Sequence, residues 1–403
     1  PTWATTLDYP IITYSTGGKI EQKKVEGEQR PLKVALRVLP DDNQIAVVLA
    51  DLLDGGGCAG IIVNTVRRAQ QIASTLKESY GEEVRLLHSR FLAIDRAHME
   101  KDLFARLGAE GAKEGKRPER LIVVGTQIFE QSCDLDFDLL ITDICPMDLL
   151  IQRIGRLHRH ERRRPLKLEN NPFCFITGIN DAGFDRGAEL IYGKYLLMNT
   201  RALLPLSLML PKDIPWLVQS TYGPEGVQIP PDLLSEYEST KKAQEEKKAG
   251  KIAKARTFQI AEPCKGLGDL VGWLDTGGAD DPSGKRGEAT VRDTENTLDV
   301  LVVQSWRGEF YTLPWLTKFG GYKVPADQPP PGELAKAMAE CSISLPLELC
   351  FKLGDTIAKL EEIAMRELSE WQKSPYLKGE LFLVLDEQLK AELCGYRLHY
   401  DRN

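Results

Sequence analysis

The 403-residue sequence predicts an α/β protein: a parallel sheet with helices on both faces, followed by a smaller mixed α/β domain. Three observations carry that prediction. Between residues 43 and 178, short apolar runs alternate regularly with stretches of helical periodicity. The runs 59–64, 121–125 and 137–143 lack the in–out alternation of a half-solvated strand and read as strands buried on both faces. The pattern stops at a charged segment, 235–258, and strand-like sequence resumes beyond it.

Taken in order, YPIITYSTGG (9–18) reads as a strand and turn within a leading segment, 1–42. Asn43–Asp54 is predicted helical, GGGC (55–58) a turn and AGIIVN (59–64) the first buried strand. VRRAQQIASTLKESY (66–80) has a helical period, VRLLHS (84–89) is the next strand, and IDRAHMEKDLFARLG (94–108) is amphipathic with Asp95 as its N-cap. A Gly/Lys-rich loop (108–119) leads to the strands LIVVG (121–125) and FDLLITD (137–143), the helix MDLLIQRIGRLHRH (147–160) and the strand NPFCFITG (171–178). The segment 235–258 reads as a solvated helix. Beyond it come a Gly/Asp-rich loop (276–288), the strand TLDVLVVQ (297–304) and helical stretches at 333–350 and 356–371. The chain thus divides into a leading segment 1–42, an α/β domain 43–229, a charged linker helix 230–259 and an accessory C-terminal domain 260–403.

Composition narrows the function classes. No run approaches the ~20 apolar residues that span a bilayer, so a membrane protein is not expected. The start, PTWATTLDYP, has no basic stretch followed by an apolar one, which argues against a secretory signal and for a cytoplasmic protein. Eight scattered cysteines without a C-x-x-C pair exclude a zinc ribbon and a disulfide scaffold, and point to buried thiols in a reducing compartment. The net charge of −7 argues against a wholly basic nucleic-acid coat protein, but arginine is concentrated in QRIGRLHRHERRRP (152–165).

That segment carries the strongest motif, Q-R-x-G-R-x-x-R. On a helix, Arg156 and Arg159 share a face. Two fixed guanidiniums suit the equatorial oxygens of a γ-phosphate in transfer. In VGTQIFEQSCDLDFDLLITD (124–143), Gly125, Thr126 and Gln127 fall at the carboxyl end of a strand, where open α/β sheets place ligand contacts. Asp134 falls where a carboxylate would meet a nucleotide ribose, whereas Asp136 and Asp138 read as turn and strand-edge residues. In IIVNTVRRAQ (61–70), Asn64 and Thr65 open a helix bearing Arg67, a place that attracts phosphate. In LLHSRF (86–91), Ser89 and Arg90 suit backbone phosphates, and His88 equally suits the core.

In this order, the segments resemble motifs IV, V and VI of the second motor lobe of superfamily 2 helicases. LLHSRFLAIDR, GTQIFEQSCDLDFD and DLLIQRIGRLHRH resemble, more narrowly, the type I CRISPR-associated helicase-nuclease family over about 60–225. The resemblance implies a RecA-like sheet and an accessory domain that helps close a DNA channel. It implies that Arg156 and Arg159 reach the γ-phosphate, that Gln152, Arg153 and Asp134 serve the nucleotide face, and that Asn64, Thr65, Ser89, Thr126 and Gln127 touch single-stranded DNA. It implies ATP and Mg²⁺ shared with a first RecA-like lobe, a divalent metal in an HD nuclease domain, and recruitment by the RNA-guided surveillance complex Cascade.

Three family features do not occur in this sequence. Every Gly-Lys is followed by Ile, Arg or Tyr, so no phosphate-binding loop is present; Asp386-Glu387 continues as Gln388-Leu389, in a predicted helix, rather than as a D-E-x-H box; and no His-Asp nuclease motif is found. The chain alone is therefore expected neither to hydrolyse ATP nor to cut DNA. Two other readings fit the same residues: the C-terminal half of a different DExH helicase, acting on RNA or in repair, and a non-catalytic module that docks a partner through 230–403.

Overall fold

The computed structural model describes residues 3, 6–25, 31–111, 113–130, 134–180, 183–223, 225–257 and 297–402. They form two compact units, one of Pro1–Gln228 with Thr297–Asn403 and one of Ile229–Asn296. The first unit opens with a hairpin, β1 (Ile11–Thr16) and β2 (Lys19–Lys24), turning on Gly17 and Gly18. There follow β3 (Leu32–Val38), α1 (Asn43–Leu52), β4 (Gly57–Ile62), α2 (Val66–Tyr80), β5 (Val84–Leu87), α3 (Ala93–Leu107), β6 (Arg120–Gly125), β7 (Leu139–Asp143) and α4 (Met147–Ile154). Next are α5 (Leu166–Glu169), β8 (Phe173–Thr177), the short pair β9 (Ile179–Asn180) and β10 (Gly183–Phe184), α6 (Arg186–Tyr192), α7 (Lys194–Leu203), β11 (Ser207–Leu210) and α8 (Ile214–Tyr222).

Seven strands form the main sheet in the order β11-β3-β8-β7-β4-β6-β5, every neighbouring pair parallel except β11 with β3. Alternate side chains enter different cores: Cys58, Ile62, Leu121 and Val123 pack with α3 and α4, while Ala59, Ile61, Ile122 and Val124 pack with α1 and α2. Burial on both faces explains the unbroken apolar runs. The chain leaves β4 toward β5 and leaves β7 toward β8, so the topological switch point lies between the carboxyl ends of β4 and β7. Leu32–Val38, read from sequence as part of the leading segment, is a full member of this sheet.

The second unit contains α9 (Leu234–Thr257), a largely exposed helix at the position predicted for the charged segment. The loop predicted at 276–288 lies outside the described residues.

The first unit resumes with β12 (Asp299–Trp306), β13 (Glu309–Tyr311), β14 (Lys323–Val324), α10 (Gly332–Ala339), β15 (Ser342–Ser344), α11 (Leu347–Cys350), α12 (Leu353–Glu367), β16 (Phe382–Leu385), β17 (Lys390–Leu393) and β18 (Tyr396–His399). A second sheet centres on β12, which pairs antiparallel with β13 and β15 and parallel with β16. Two sequence expectations change here. Ser342–Ser344, predicted within a helix, is a strand. Asp386–Leu389 is a turn, because Asp386 Oδ1 accepts the Gln388 and Lys390 amides at 2.8 and 2.9 Å.

The two sheets meet at the β5–α3 loop. Phe91 and Leu92 are buried among Val300, Val302 and Leu383 of the second sheet. Asp95 does not cap α3, whose N-cap is Leu92. It is buried one turn further in, where its Oδ2 accepts from Tyr400 Oη at 2.7 Å and Trp315 Nε1 at 3.2 Å. Arg402 Nε lies 3.4 Å from its Oδ1, and the Trp315 and Tyr400 rings stack. Buried polar groups are kept hydrogen-bonded in this way.

Candidate nucleotide and nucleic-acid sites

The predicted residues separate into two sets. Asn64, Ser89 and Thr126 follow the carboxyl ends of β4, β5 and β6, whereas Asp134 precedes the amino end of β7. These strands run parallel, so the sets lie toward opposite edges of the sheet.

At the carboxyl edge, side chains fill the switch-point crevice. Asp143 is fully buried and accepts from Asn64 N at 2.9 Å, Arg68 Nε at 2.9 Å and Thr177 Oγ1 at 2.8 Å. Arg153 has no exposed surface, because the last turn of α4 faces the sheet. It donates to Glu130 Oε1 at 2.6 Å, Thr142 Oγ1 at 2.9 Å, Asn64 Oδ1 at 3.0 Å and Tyr192 Oη at 3.2 Å. Burial raises the Glu130 carboxyl pKa against the opposing pull of Arg153. Arg153, expected from sequence at the nucleotide face, ties the 127–130 turn to β4 and β7 from within.

Asn64 commits its amide to Ile144 O at 2.8 Å and to Arg153, and the residue is 2% exposed. Thr65 caps α2 by accepting from Arg68 N at 3.3 Å. Gln127 Nε2 donates to Asn64 O at 2.8 Å. Thr126 is buried, and Gly125 is required by packing: a Cβ there would stand 2.1 Å from the Phe129 ring. Arg67 and Ser89 are exposed at this edge, with Arg90 half-buried between solvent and core. His88 lies in the core, stacked on Phe91 at 4.3 Å, and burial with the charge of Arg90 pushes its pKa down to about 4.

The arginine pair is built differently from the sequence expectation. Helix α4 ends at Ile154 with Gly155 as its C-cap, and His158 adopts φ 49°. Arg156 and Arg159 therefore share a turn, not a helical face. The turn is held by the segment before β7: Phe137 N donates to Arg156 O at 2.8 Å, His158 N to Phe137 O at 2.9 Å, and Arg159 N to Asp136 Oδ1 at 2.7 Å. Arg156 is buried and donates to Phe129 O at 3.2 Å and Glu130 O at 3.1 Å. Arg159 is exposed, its Nε on Asp134 Oδ1 at 2.8 Å; His160 Nε2 lies 2.9 Å from the same oxygen. Partial burial works to raise the Asp134 pKa, but Arg159 and His160 hold it below the usual carboxylate range. Gln152 is exposed on α4.

Sequence reading missed what becomes of the remaining arginines. Asp136 and Asp138 are fully or almost fully buried. Arg164 bridges both, Arg117 Nη2 meets Asp138 at 2.8 Å, and Arg162 Nε stands 2.7 Å from Asp136 Oδ2. Burial would raise the Asp138 pKa, yet Arg117 and Arg164 bring it below its ordinary value. A signal was present: Asp134, Asp136 and Asp138 alternate, as do Arg162 and Arg164, at the period of extended chain.

Comparison with known proteins gives a consistent result. The family model described as CRISPR-associated nuclease/helicase Cas3, C-terminal, matches residues 55–162, and that of the Cas3 C-terminal domain matches residues 292–403. The CRISPR-associated nuclease/helicase Cas3 of Streptococcus thermophilus is 38% identical over 98% of this chain and 42% of its own length. The CRISPR-associated endonuclease/helicase Cas3 of Escherichia coli is 35% identical over 47% of this chain and 22% of its own. The chain thus spans under half the length of the curated relatives it matches. A crystal structure of a CRISPR-associated protein superposes with a TM-score of 0.80 at 30% identity, covering 98% of this chain and 43% of that one. T. fusca Cas3-AMPPNP superposes with a TM-score of 0.75 at 25% identity, covering 94% and 44%. A CRISPR RNA-guided surveillance complex, pre-nicking, shares the fold with a TM-score of 0.73 at 24% identity, covering 98% and 48%.

Proposed function

The chain belongs, as a C-terminal part, to the Cas3 family of CRISPR-associated nuclease/helicases, and from that premise we propose that it is the second motor lobe and accessory domain of an ATP-dependent translocase on single-stranded DNA. The observation that carries this reading is Arg159. Its backbone is gripped by the segment before β7, while its side chain stays exposed, on Asp134 and at the edge of hydrogen-bond range of Gly155 O. A phosphate oxygen needs such a group: fixed at the base and exchangeable at the tip.

ATP supplies the phosphoanhydride bond, and this chain supplies positive charge to the transferred phosphoryl. Arg159 takes the γ-phosphate side. Asp134, freed from that pair, meets the ribose, and Gln152 borders the same face. Arg156 fixes the 129–130 carbonyls beneath the turn. Arg67, Ser89 and Arg90, beyond the carboxyl ends of β4 and β5, contact backbone phosphates of the strand, with Thr65 and Gln127 beside them.

Among the described residues no group of three or more His, Cys, Asp or Glu side chains is arranged to hold a metal ion. The donors for Mg²⁺ at ATP, and for the metal of an HD nuclease, are assigned to a first RecA-like and nuclease part of the enzyme. In this reading the chain alone neither hydrolyses ATP nor cuts DNA. The assembled enzyme works in the cytoplasm, with Cascade delivering the displaced strand.

The test is intact mass under denaturing conditions of the material isolated from its source, followed by phosphate release with and without single-stranded DNA. A polypeptide carrying a phosphate-binding loop, joined to this chain or co-purifying with it, and DNA-stimulated turnover support the reading. Turnover by this chain alone, abolished by Arg159→Ala, would overturn its division of labour.

A further inference from the structure

The exposed side chain of Arg159 is not fixed by packing, so its aim depends on its backbone. That backbone is held by three contacts from residues 136–137 and by Arg164 Nη2, which donates to His160 O at 2.8 Å. Two are main-chain bonds through Phe137 and depend little on side-chain identity. The third is the Asp136 carboxylate, whose Oδ1 accepts Arg159 N at 2.7 Å and His160 N at 3.4 Å. We propose that Asp136 is a positioning residue for Arg159, holding the turn at the pitch from which the guanidinium reaches a nucleotide.

Its surroundings are built for that task. Asp136 is fully buried. Its own amide donates to Leu107 O at 3.1 Å and its carbonyl accepts from Arg117 Nη1 at 3.0 Å, so its backbone is anchored on both sides. Arg164 Nη2 donates to it at 2.9 Å. Arg162 Nε is equally close, at 2.7 Å, but off the hydrogen-bond direction. A carboxylate acceptor grips an amide more firmly than a neutral one. Asp138 shares Arg117 and Arg164 but bonds the Cys58 amide instead, on the β4 side. The two aspartates thus divide the work: Asp138 fixes the sheet, and Asp136 fixes the arginine turn.

This inference rests on the reading of Arg159 as the phosphate-facing group, and the experiment separates the two. In the full-length enzyme, DNA-stimulated ATP turnover is measured for Arg159→Ala, Asp136→Asn and Arg162→Gln, with thermal midpoints for each. Asp136→Asn should lower kcat by ~10²-fold, the scale of an ångström-level misplacement, with KM for ATP within about threefold. Arg162 stands beside the same carboxylate and donates to Gly108 O at 3.3 Å rather than to residues 156–160, so Arg162→Gln should lower the midpoint but leave kcat near wild type. If Asp136→Asn fails to fold, the charge-compensated pair Asp136→Asn/Arg162→Gln should fold and show the same kcat loss. Wild-type kcat in a folded Asp136 variant overturns the proposal. So does a loss of kcat in Arg162→Gln equal to that in Asp136→Asn, which would mark a structural role alone. If Arg159→Ala turns over normally, the reading of the site falls, and the role of Asp136 falls with it.

Discussion

Arg159 and Asp134 form a 2.8 Å ion pair in which both side chains stay well exposed, at 41% and 50%. A pair so open to water contributes at most about 1 kcal/mol to stability, so a phosphate can displace the carboxylate readily. Arg159→Ala should therefore leave the thermal midpoint nearly unchanged while reducing DNA-stimulated ATP turnover of the full enzyme by ~10³-fold or more. Phosphate-release kinetics alongside thermal melts check both halves. A large drop in melting temperature with turnover intact would reverse the assignment.

Arg153 should behave in the opposite way. It is the buried hub joining Glu130, Asn64 and Thr142. Arg153→Met strands the Glu130 carboxylate without its main partner and should cost about 3–5 kcal/mol. Urea unfolding of this chain measures it. A loss under about 1 kcal/mol would show that Arg153 does not hold the 127–130 turn.

The candidates for strand binding divide by exposure. Arg67→Ala should weaken single-stranded DNA binding and reduce the slope of log affinity against log salt by about 0.7, the value for one phosphate contact on a single strand. Asn64→Ala should leave that slope unchanged and lower stability instead, because its amide is committed to Ile144 and Arg153. Fluorescence anisotropy across a salt series separates the two outcomes.

Stability should fall in mild acid. Burial, reinforced by Arg90 at His88 and by Arg164 at His158, pushes each histidine to about 4. In the unfolded chain each titrates near ~6.5. The contribution of the neutral imidazoles is therefore complete above about 6.5, shrinks as the unfolded chain takes up protons that the fold refuses, and is lost by about 4. The urea midpoint should drop between pH 7 and pH 5. His88→Gln with His158→Asn should flatten the drop, asparagine being chosen because it tolerates the positive φ at 158. An unchanged slope would mean that other groups carry it.

Much of the fold was legible because burial on both faces writes strands such as Gly57–Ile62 and Arg120–Gly125 as unbroken apolar runs. The boundaries of α2 followed from period alone, and the span of α3 to within a residue, though not its cap. What stayed hidden depended on partners distant in sequence. The end of α4 was invisible because Gly155 and His158 act together only when Phe137 lies alongside to take up the freed backbone groups. The arginines of 152–164 looked like one basic surface, yet Arg153, Arg162 and Arg164 are buried on acids that lie 23 to 28 residues earlier in the chain. Asp95 resembled a cap because its real partners, Trp315 and Tyr400, come 220 and 305 residues later.

That last separation has a consequence for biosynthesis. At roughly 5–20 residues per second, Tyr400 leaves the ribosome about 15–60 s after Asp95. For that interval Phe91 and Leu92 have no second sheet to cover them, and the Asp95 carboxylate has only water. The β5–α3 loop is thus an apolar surface on a nascent chain, displayed until the final strands arrive, and it is the place where a holdase would be expected to bind and from which the completed C-terminal sheet would release it.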